Sequence, residues 1–130
     1  LARKLGPSSG VSLCLSDSAD MDPPDGYYDQ VLVFFLLHEQ PLETRRRTVA
    51  EALRVTKPGG RLVFVDYHRP SPGNPMSLVM RPVLRILEPF ALDLWREEIT
   101  AWLPEDAPRL KVEKRTFFGG LYQLTEISRV

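Results

Sequence analysis

Apolar residues form two unbroken runs in the middle of the chain, at residues 31–37 and 62–65. A run without alternating polar positions is typical of a strand buried on both faces, as in a parallel sheet covered by helices. The segment between the runs has helical spacing as far as Lys57, and such a helix supplies the crossover that parallel strands require. The pattern therefore predicts a strand–helix–strand unit between Tyr28 and Tyr67.

The predicted helix has a defined end and a defined inner face. Pro58, Gly59 and Gly60 are expected to end it, because Pro cannot continue a helix and Gly accepts a left-handed cap. Three consecutive arginines at 45–47 are interpreted as a solvated face, with an anion-binding patch as the alternative. The residues expected to face the sheet recur at helical spacing: Leu42, Val49, Ala52, Leu53 and Thr56.

The flanking segments extend this unit. Residues 11–15 predict a strand that ends at Ser16-Asp17-Ser18, and Gly119-Gly120 between two alternating runs predicts a closing antiparallel hairpin. Two helical segments, at about 76–88 and 90–103, carry more apolar residues than one core-facing side needs. The surplus fits a lipophilic substrate or a membrane surface, and burial in the core or in a partner interface is the alternative.

Composition narrows the class of protein. The 130 residues suffice for one domain, and 17 basic against 17 acidic residues remove the electrostatic argument for general nucleic-acid binding. The single cysteine, Cys14, excludes a disulfide framework; it is interpreted as a small core residue in a protein of the reducing cytoplasm. No apolar run reaches the roughly 18 to 20 residues that span a bilayer.

The chain begins with Leu1 rather than Met, and we expect it to start inside a larger domain.

Three motifs make the chain resemble the class I S-adenosylmethionine-dependent methyltransferases. They are Ser16-Asp17-Ser18, Tyr28-Asp29-Gln30-Val31, and the segment 53–62, which contains Lys57-Pro58-Gly59-Gly60. The resemblance implies an α/β, Rossmann-like fold, with a parallel sheet and a C-terminal antiparallel hairpin. Residues 1–130 would form the C-terminal portion of a single methyltransferase domain, without its first strands and glycine-rich loop.

Longer motifs resemble the rhodoquinone-biosynthesis methyltransferase-like family (RquA). They lie at residues 37–41, 66–68, 87–95, 102–104 and 118–123. This resemblance implies S-adenosylmethionine as the cofactor, a lipophilic quinone as the substrate, and the conversion of ubiquinone to rhodoquinone. Peripheral contact with the inner membrane is the alternative to a purely cytoplasmic location. A broader small-molecule methyltransferase fragment and a non-catalytic interaction module remain alternative functions.

The candidate site residues follow the predicted strands, where ligands bind in open parallel sheets. The resemblance implies cofactor contacts for Asp17, Ser18 and Phe35, with Asp17 as a turn cap in the alternative interpretation. His38 and His68 are candidate proton acceptors, because histidine titrates near neutral pH. The candidate substrate contacts are Glu39, Tyr67, Trp95 and Tyr122.

Alternatives remain open for several of these residues. His38 and Glu39 would otherwise cap the following helix, and Trp95 would otherwise pack in the core. Asp66 with the two histidines would form a loose site for a divalent metal. The eight glycines include no Gly-x-Gly after an apolar run, so the turn that holds the cofactor's methionine end is missing. We therefore expect the isolated chain to bind S-adenosylmethionine weakly or not at all.

Overall fold

The computed structural model describes residues 10–130, which form a four-stranded sheet with helices between the strands. The elements are β1 (Tyr28–Phe34), α1 (Leu42–Val55), β2 (Thr56–Tyr67), α2 (Met76–Leu87), β3 (Leu110–Phe117) and β4 (Tyr122–Arg129). Three short 3₁₀ helices, Leu37–Glu39, Ala91–Trp95 and Ile99–Trp102, complete the described structure.

The sheet has the strand order β1-β2-β4-β3. Strands β1 and β2 are parallel, with Val31 opposite Leu62 and Val33 opposite Phe64. Strand β4 runs antiparallel to both β2 and β3. The α/β fold class, the parallel central pair and the C-terminal hairpin predicted from the sequence are thus confirmed.

One face of the sheet is well covered. Val33, Leu62 and Phe64 point towards α1 and the last two 3₁₀ helices, and Phe64 is completely buried. Val49, Ala52 and Leu53 of α1 pack against them as predicted, whereas Leu42 at the start of that helix is exposed. Such apolar burial is the main favourable term that holds the helices on the sheet.

The opposite face differs from the prediction, because burial on both faces is wrong for the described residues. Leu32 and Phe34 of β1 are 63% and 62% exposed. Strand β1 is also an edge strand, since it pairs only with β2 in the described part of the chain. Apolar residues on an open edge favour pairing with a further strand.

Three element predictions need correction. Residues 11–16 form no strand, because no strand of the described chain lies beside them to complete the hydrogen bonds. Helix α1 ends at Val55 rather than Lys57, and Lys57-Pro58-Gly59-Gly60 lies in the irregular start of β2. The predicted helix at 90–103 is two 3₁₀ turns, since Leu94, Trp95, Ile99 and Trp102 are all drawn into the core.

Between residues 10 and 130, no helix combines the length and the apolar content needed to cross a membrane.

Candidate functional site

The carboxyl ends of β1 and β2 lie side by side, and the turn after β1 is strained. Phe35 has a φ of +48° in the left-handed region, which is uncommon outside glycine and costs of order 1–3 kcal/mol. Its backbone N–H donates to the carbonyl of Val65 on β2, at 2.8 Å. This bond keeps the turn tight and directs the next residues across the end of the sheet.

A buried histidine–aspartate pair spans the two strand ends. Nδ1 of His38 lies 2.8 Å from Oδ1 of Asp66, and these residues are 5% and 1% exposed. Asp66 also accepts backbone N–H groups from Leu37, His38 and Tyr67. A carboxylate oxygen accepts hydrogen bonds and has no proton to donate, so the ring nitrogen that faces Asp66 is the donor. His38 therefore carries its proton on Nδ1 in this bond and presents Nε2 on the other side of the ring.

Two further carboxylates face Nε2 of His38. An oxygen of Glu88 lies 3.5 Å away and an oxygen of Glu39 lies 3.8 Å away. The Glu88 Oε2 atom is buried and has no hydrogen-bond partner among the described residues. Glu88 was not among the predicted site residues, although it belongs to the motif at 87–95. Its only sequence signal was that motif, because 50 residues separate it from His38.

The structure contradicts the interpretation of His38 and Glu39 as caps of the next helix. Helix α1 begins at Leu42 with Pro41 at its N-cap, and no side chain caps it. His38 instead lies within the 3₁₀ helix Leu37–Glu39 and bonds to Asp66.

Aromatic rings surround the pair. Tyr67 and Tyr122 are stacked with ring centroids 5.7 Å apart and an interplanar angle of 28°. Phe35 meets both rings edge-on at 5.7 Å, and His38 lies 4.8 Å from the ring of Tyr67. Burial raises the pKa of the Tyr67 hydroxyl, and the negative charge of Glu88 raises it further. Tyr67 is thereby held as a neutral hydrogen-bonding group.

A predominantly apolar cleft of about 1120 Å³ opens beside these rings. We call it the aromatic cleft; its lining comprises the strand ends at Phe35 and Val65, the loop Ser71–Met76, and the hairpin residues Phe117, Phe118, Gly119, Leu121 and Tyr122. Apolar clefts with a few polar groups are the usual form of small-molecule sites.

The loop and the hairpin are fastened together at one wall of the cleft. The backbone N–H of Ser71 and the side-chain amide of Asn74 both donate to the carbonyl of Gly119, at 2.8 and 3.0 Å. Gly120 has a φ of +87°, and a Cβ there would lie 2.8 Å from the Ser71 nitrogen. Glycine is therefore required at 120 for this close approach.

His68, the second candidate catalytic residue, is held by other partners. Its Nδ1 lies 2.9 Å from the Gly120 carbonyl, and its Nε2 lies 2.8 Å from Nζ of Lys114. The structure thus does not join His68 to Asp66. Within the described residues, no cluster of three or more histidine, cysteine or acidic residues could hold a metal ion.

The predicted substrate contacts are not all in one place. Tyr122 lines the aromatic cleft, Tyr67 stacks on it, and the Glu39 side chain is 67% exposed beside His38. Trp95 is 8% exposed and packs with Leu84 and Ala91 in a separate apolar cluster. Its position agrees with the alternative interpretation as a packing residue.

Arg45 corrects the interpretation of the three arginines as a solvated face. It is completely buried and donates to the carbonyls of Leu37, Gln40 and Phe90 and to the carboxylate of Asp93. Its guanidinium also lies 4.5 Å from the centre of the Trp102 ring. Arg45 therefore ties the site loop to the helical cover. Its neighbours Arg46 and Arg47 are exposed as predicted.

The predicted cofactor residues Asp17 and Ser18 line a smaller cavity of about 390 Å³. Oδ1 of Asp17 accepts the backbone N–H of Ala19 at 2.8 Å, which is the turn-capping interaction of the alternative interpretation. Its other oxygen makes no hydrogen bond with the described residues. Ser18 bonds to Gln40 and Thr48. Cys14 also lines this cavity and is exposed, so its interpretation as a core residue is wrong.

Comparison with known sequences gives a consistent picture. Residues 1–64 match a family model described as a methyltransferase domain. Demethylmenaquinone methyltransferase of Renibacterium salmoninarum is 28% identical over 105 residues, which cover 74% of this chain and 44% of that protein. The ubiquinone/menaquinone biosynthesis C-methyltransferase UbiE of Stutzerimonas stutzeri is 32% identical over 66 residues, 51% of this chain and 25% of that protein. The chain thus spans less than half the length of these curated relatives.

Solved structures share the fold. An S-adenosylmethionine-dependent methyltransferase of Thermotoga maritima, described as a possible histamine N-methyltransferase, aligns with a TM-score of 0.65 and 17% identity, over 99% of this chain and 67% of that one. A methyltransferase from Aquifex aeolicus aligns with a TM-score of 0.51 and 22% identity, over 99% and 60% of the two chains. The family match over residues 1–64 makes the chain similar to methyltransferases, and these two solved structures share its fold.

Proposed function

We propose that this chain forms the C-terminal portion of an S-adenosylmethionine-dependent methyltransferase domain that acts on a lipophilic quinone. The observation that carries the proposal is the aromatic cleft beside the buried His38–Asp66 pair, at the carboxyl ends of two parallel strands. Two curated relatives are named as quinone methyltransferases, which supports the same class of substrate. The motifs shared with the rhodoquinone-biosynthesis family support the finer proposal of ubiquinone to rhodoquinone conversion.

The residues at the cofactor side fit part of S-adenosylmethionine. The second carboxylate oxygen of Asp17 is an unused acceptor for the adenine amino group, and Ser18 lies next to it in the same cavity. Phe35, with its strained backbone, would contact the cofactor between the cavity of Asp17 and Ser18 and the aromatic cleft. No glycine-rich turn for the methionine end occurs in residues 10–130. When bound, the cofactor supplies an activated methyl group on a sulfonium.

The protein's own contribution is to orient the acceptor and to receive its proton. The Tyr122 ring would stack on the ring of the reduced substrate, the quinol, and the neutral Tyr67 hydroxyl would donate to one of its oxygens. The exposed Glu39 carboxylate would accept a hydrogen bond from a quinol hydroxyl. His38 would accept a proton at Nε2, since Asp66 holds the other ring nitrogen in its protonated form. His68 is the second candidate base. It would have to give up the contact between its Nε2 atom and Lys114 before it could accept a proton there. Trp95 lies outside the cleft and would affect the substrate only indirectly, by packing within residues 84–95.

The conversion to rhodoquinone breaks a ring C–O bond and forms a C–N bond; with a nitrogen donor at the oxidation level of ammonia, it releases the methoxy group as methanol. Methyl transfer needs no such donor and depends mainly on alignment of the acceptor with the methyl carbon. The two levels of the proposal can therefore be tested separately.

Quinone extracts test the finer level. We expect rhodoquinone to disappear when the gene is deleted and to return when the wild-type gene is supplied. A His38→Gln gene should not restore it, whereas Arg46→Gln, at an exposed site on α1, should. Immunoblots would establish that both variants accumulate. Unchanged quinones after deletion would contradict a role in quinone metabolism, and transfer of labelled methyl groups to another acceptor would then favour the broader methyltransferase.

Calorimetry with S-adenosylmethionine tests the incomplete cofactor site. The 130-residue chain should bind weakly or not at all, because no glycine-rich turn approaches the methionine end. Micromolar affinity for this chain would contradict that expectation.

A further inference from the structure

Four arginines converge on one pocket at the side of α2. The pocket has a volume of about 640 Å³ and is lined by Arg69, Arg81, Arg85, Leu92, Trp95 and Arg96. We call it the arginine pocket. None of these four guanidinium groups forms an ion pair or a hydrogen bond with the described residues, and no carboxylate belongs to the lining.

This concentration of positive charge does not follow from the overall composition. The chain has equal numbers of basic and acidic residues, and Arg45, Arg54 and Arg61 have acidic partners. Like charges gathered around one pocket repel each other, and an anion bound between them would reduce this repulsion. Guanidinium groups bind phosphate oxygens in paired hydrogen bonds, which makes a phosphate group the best-matched anion.

Trp95 provides an independent observation at the same place. It lines the arginine pocket and is 8% exposed, and its indole Nε1 is buried without a hydrogen-bond partner in the described structure. A buried N–H donor without a partner is costly. The arginine pocket is therefore bordered by a residue whose buried donor no described residue satisfies.

Helix α2 exposes an apolar stripe. Met76, Val79, Val83 and Ile86 recur at intervals of three and four residues and are 45%, 57%, 42% and 78% exposed. Arg81 and Arg85, four residues apart, share another side of the same helix. An exposed apolar stripe with basic residues on the opposite side of the helix is typical of helices that lie in the surface of an acidic membrane. With 12 residues, α2 is too short to cross a bilayer.

We propose that the arginine pocket binds the phosphate of an acidic membrane phospholipid, and that the apolar stripe of α2 then lies in the membrane interface. Met76 belongs both to the stripe and to the lining of the aromatic cleft, so this orientation places the cleft mouth beside the lipid. A lipophilic substrate would then enter without crossing water. The membrane site goes beyond the proposed methyl transfer and can be tested without measuring it.

Vesicle flotation tests the proposal on the 130-residue chain. We expect binding to vesicles that contain phosphatidylglycerol and little binding to pure phosphatidylcholine, with a decrease as salt is raised. The double variant Arg81→Gln with Arg85→Gln should lower the partition coefficient about 30-fold, since each basic residue near an acidic surface contributes about a factor of five. The matched control, Arg46→Gln with Arg115→Gln, removes two exposed arginines elsewhere and should change partitioning much less.

A second pair of variants tests the stripe. Ile86→Ser should weaken vesicle binding several-fold, because it removes apolar surface from the interface, whereas Leu15→Ser, at another exposed site, should not. Equal binding to both vesicle types, or an unaffected double arginine variant, would overturn the proposal. Calorimetric binding of inorganic phosphate that depends on Arg81 and Arg85, without vesicle binding, would show a site for a soluble phosphate and would also overturn it.

Discussion

Arg45 and the arginines of the pocket beside α2 carry the same side chain in opposite surroundings. Arg45 is completely buried, and four acceptors and one aromatic ring surround its guanidinium. Arg81 and Arg85 are exposed, and their guanidinium groups form no ion pair or hydrogen bond with the described residues. A buried charge persists only where its partners are fixed by the fold, so Arg45 is a structural residue.

The difference shows how to separate structural charges from charges available to a ligand. At Arg45 the protein supplies every partner, and an external anion has nothing to add. In the arginine pocket the protein supplies none, and an anion would remove a repulsion. Substitutions in the two regions should therefore affect different measurements: stability in the first and binding in the second.

Arg45→Ala should produce the largest loss of stability. We expect the free energy of unfolding to fall by about 3–5 kcal/mol, because three backbone carbonyls lose their donor and a buried ion pair is broken. Denaturant unfolding would measure this loss. The neighbouring Arg46→Ala should cost less than about 0.5 kcal/mol, since that side chain is exposed. Equal losses for the two variants would contradict the structural role of Arg45.

Asp66→Asn should rank second. Asp66 accepts hydrogen bonds from the His38 ring and from three backbone N–H groups. The asparagine amide would replace one acceptor oxygen by an NH2 group, so that some of these donors would face another donor. We expect a loss of about 2–3 kcal/mol in unfolding free energy. NMR of the His38 ring should also show that the proton no longer remains on Nδ1. An unchanged Nδ1–H resonance would contradict the assigned bond. Asp106→Asn, at an exposed position, is the control.

Glu51→Gln should have a smaller effect that depends on pH. Hydrogen bonds from Arg54 are the main cause that lowers the pKa of Glu51 below its usual 4.5. A lowered pKa in the folded state gives stability that is present above about pH 4.5 and is lost as pH falls through the folded value. The variant should thus lose about 1 kcal/mol near neutral pH, and the gap should close as pH falls through the lowered folded pKa.

Unfolding curves of Glu51→Gln and wild type, measured in steps from neutral to acidic pH, would show this closing gap. Glu43→Gln changes an acidic residue of the same helix that forms no ion pair with residues 10–130, and it should give no such trend. A gap that is constant with pH would exclude the ion pair as its source.

Substitution in the arginine pocket should have the smallest effect on stability. Arg81→Gln with Arg85→Gln should change the free energy of unfolding by less than about 0.5 kcal/mol, or raise it slightly by relieving repulsion. Denaturant unfolding without vesicles measures this. A loss of unfolding free energy comparable to that of Arg45→Ala would show that these arginines stabilise the fold. It would contradict the proposed difference between the two regions.

Sequence patterns predicted the sheet better than its surroundings. The apolar runs at 31–37 and 62–65 predicted the parallel pair, and Gly119-Gly120 predicted the hairpin, because strand propensity and turn geometry depend on neighbouring residues. The predicted strand at 11–15 is absent, since a strand needs a partner that no local pattern can supply. The predicted helix at 90–103 is broken because distant core residues, rather than helical propensity, fix Trp95 and Trp102.

The candidate site shows the same division. The sequence identified His38, Asp66 and Tyr67 as residues at strand ends, and the parallel arrangement brought them together. It gave no reason to place Glu88 beside His38 or to bury Arg45, whose neighbours in the chain are exposed. Both depend on how residues 84–102 fold back over the end of the sheet.

The amino-acid sequence by itself determined the strand–helix–strand unit, the closing hairpin and the polar residues at the strand ends. These features follow from periodicity and turn chemistry, which act over a few residues. Only the tertiary structure decided which charges are buried, which apolar face stays open, and which arginines share a pocket. Burial and pairing depend on surfaces brought together from distant parts of the chain, and that information lies in no single segment.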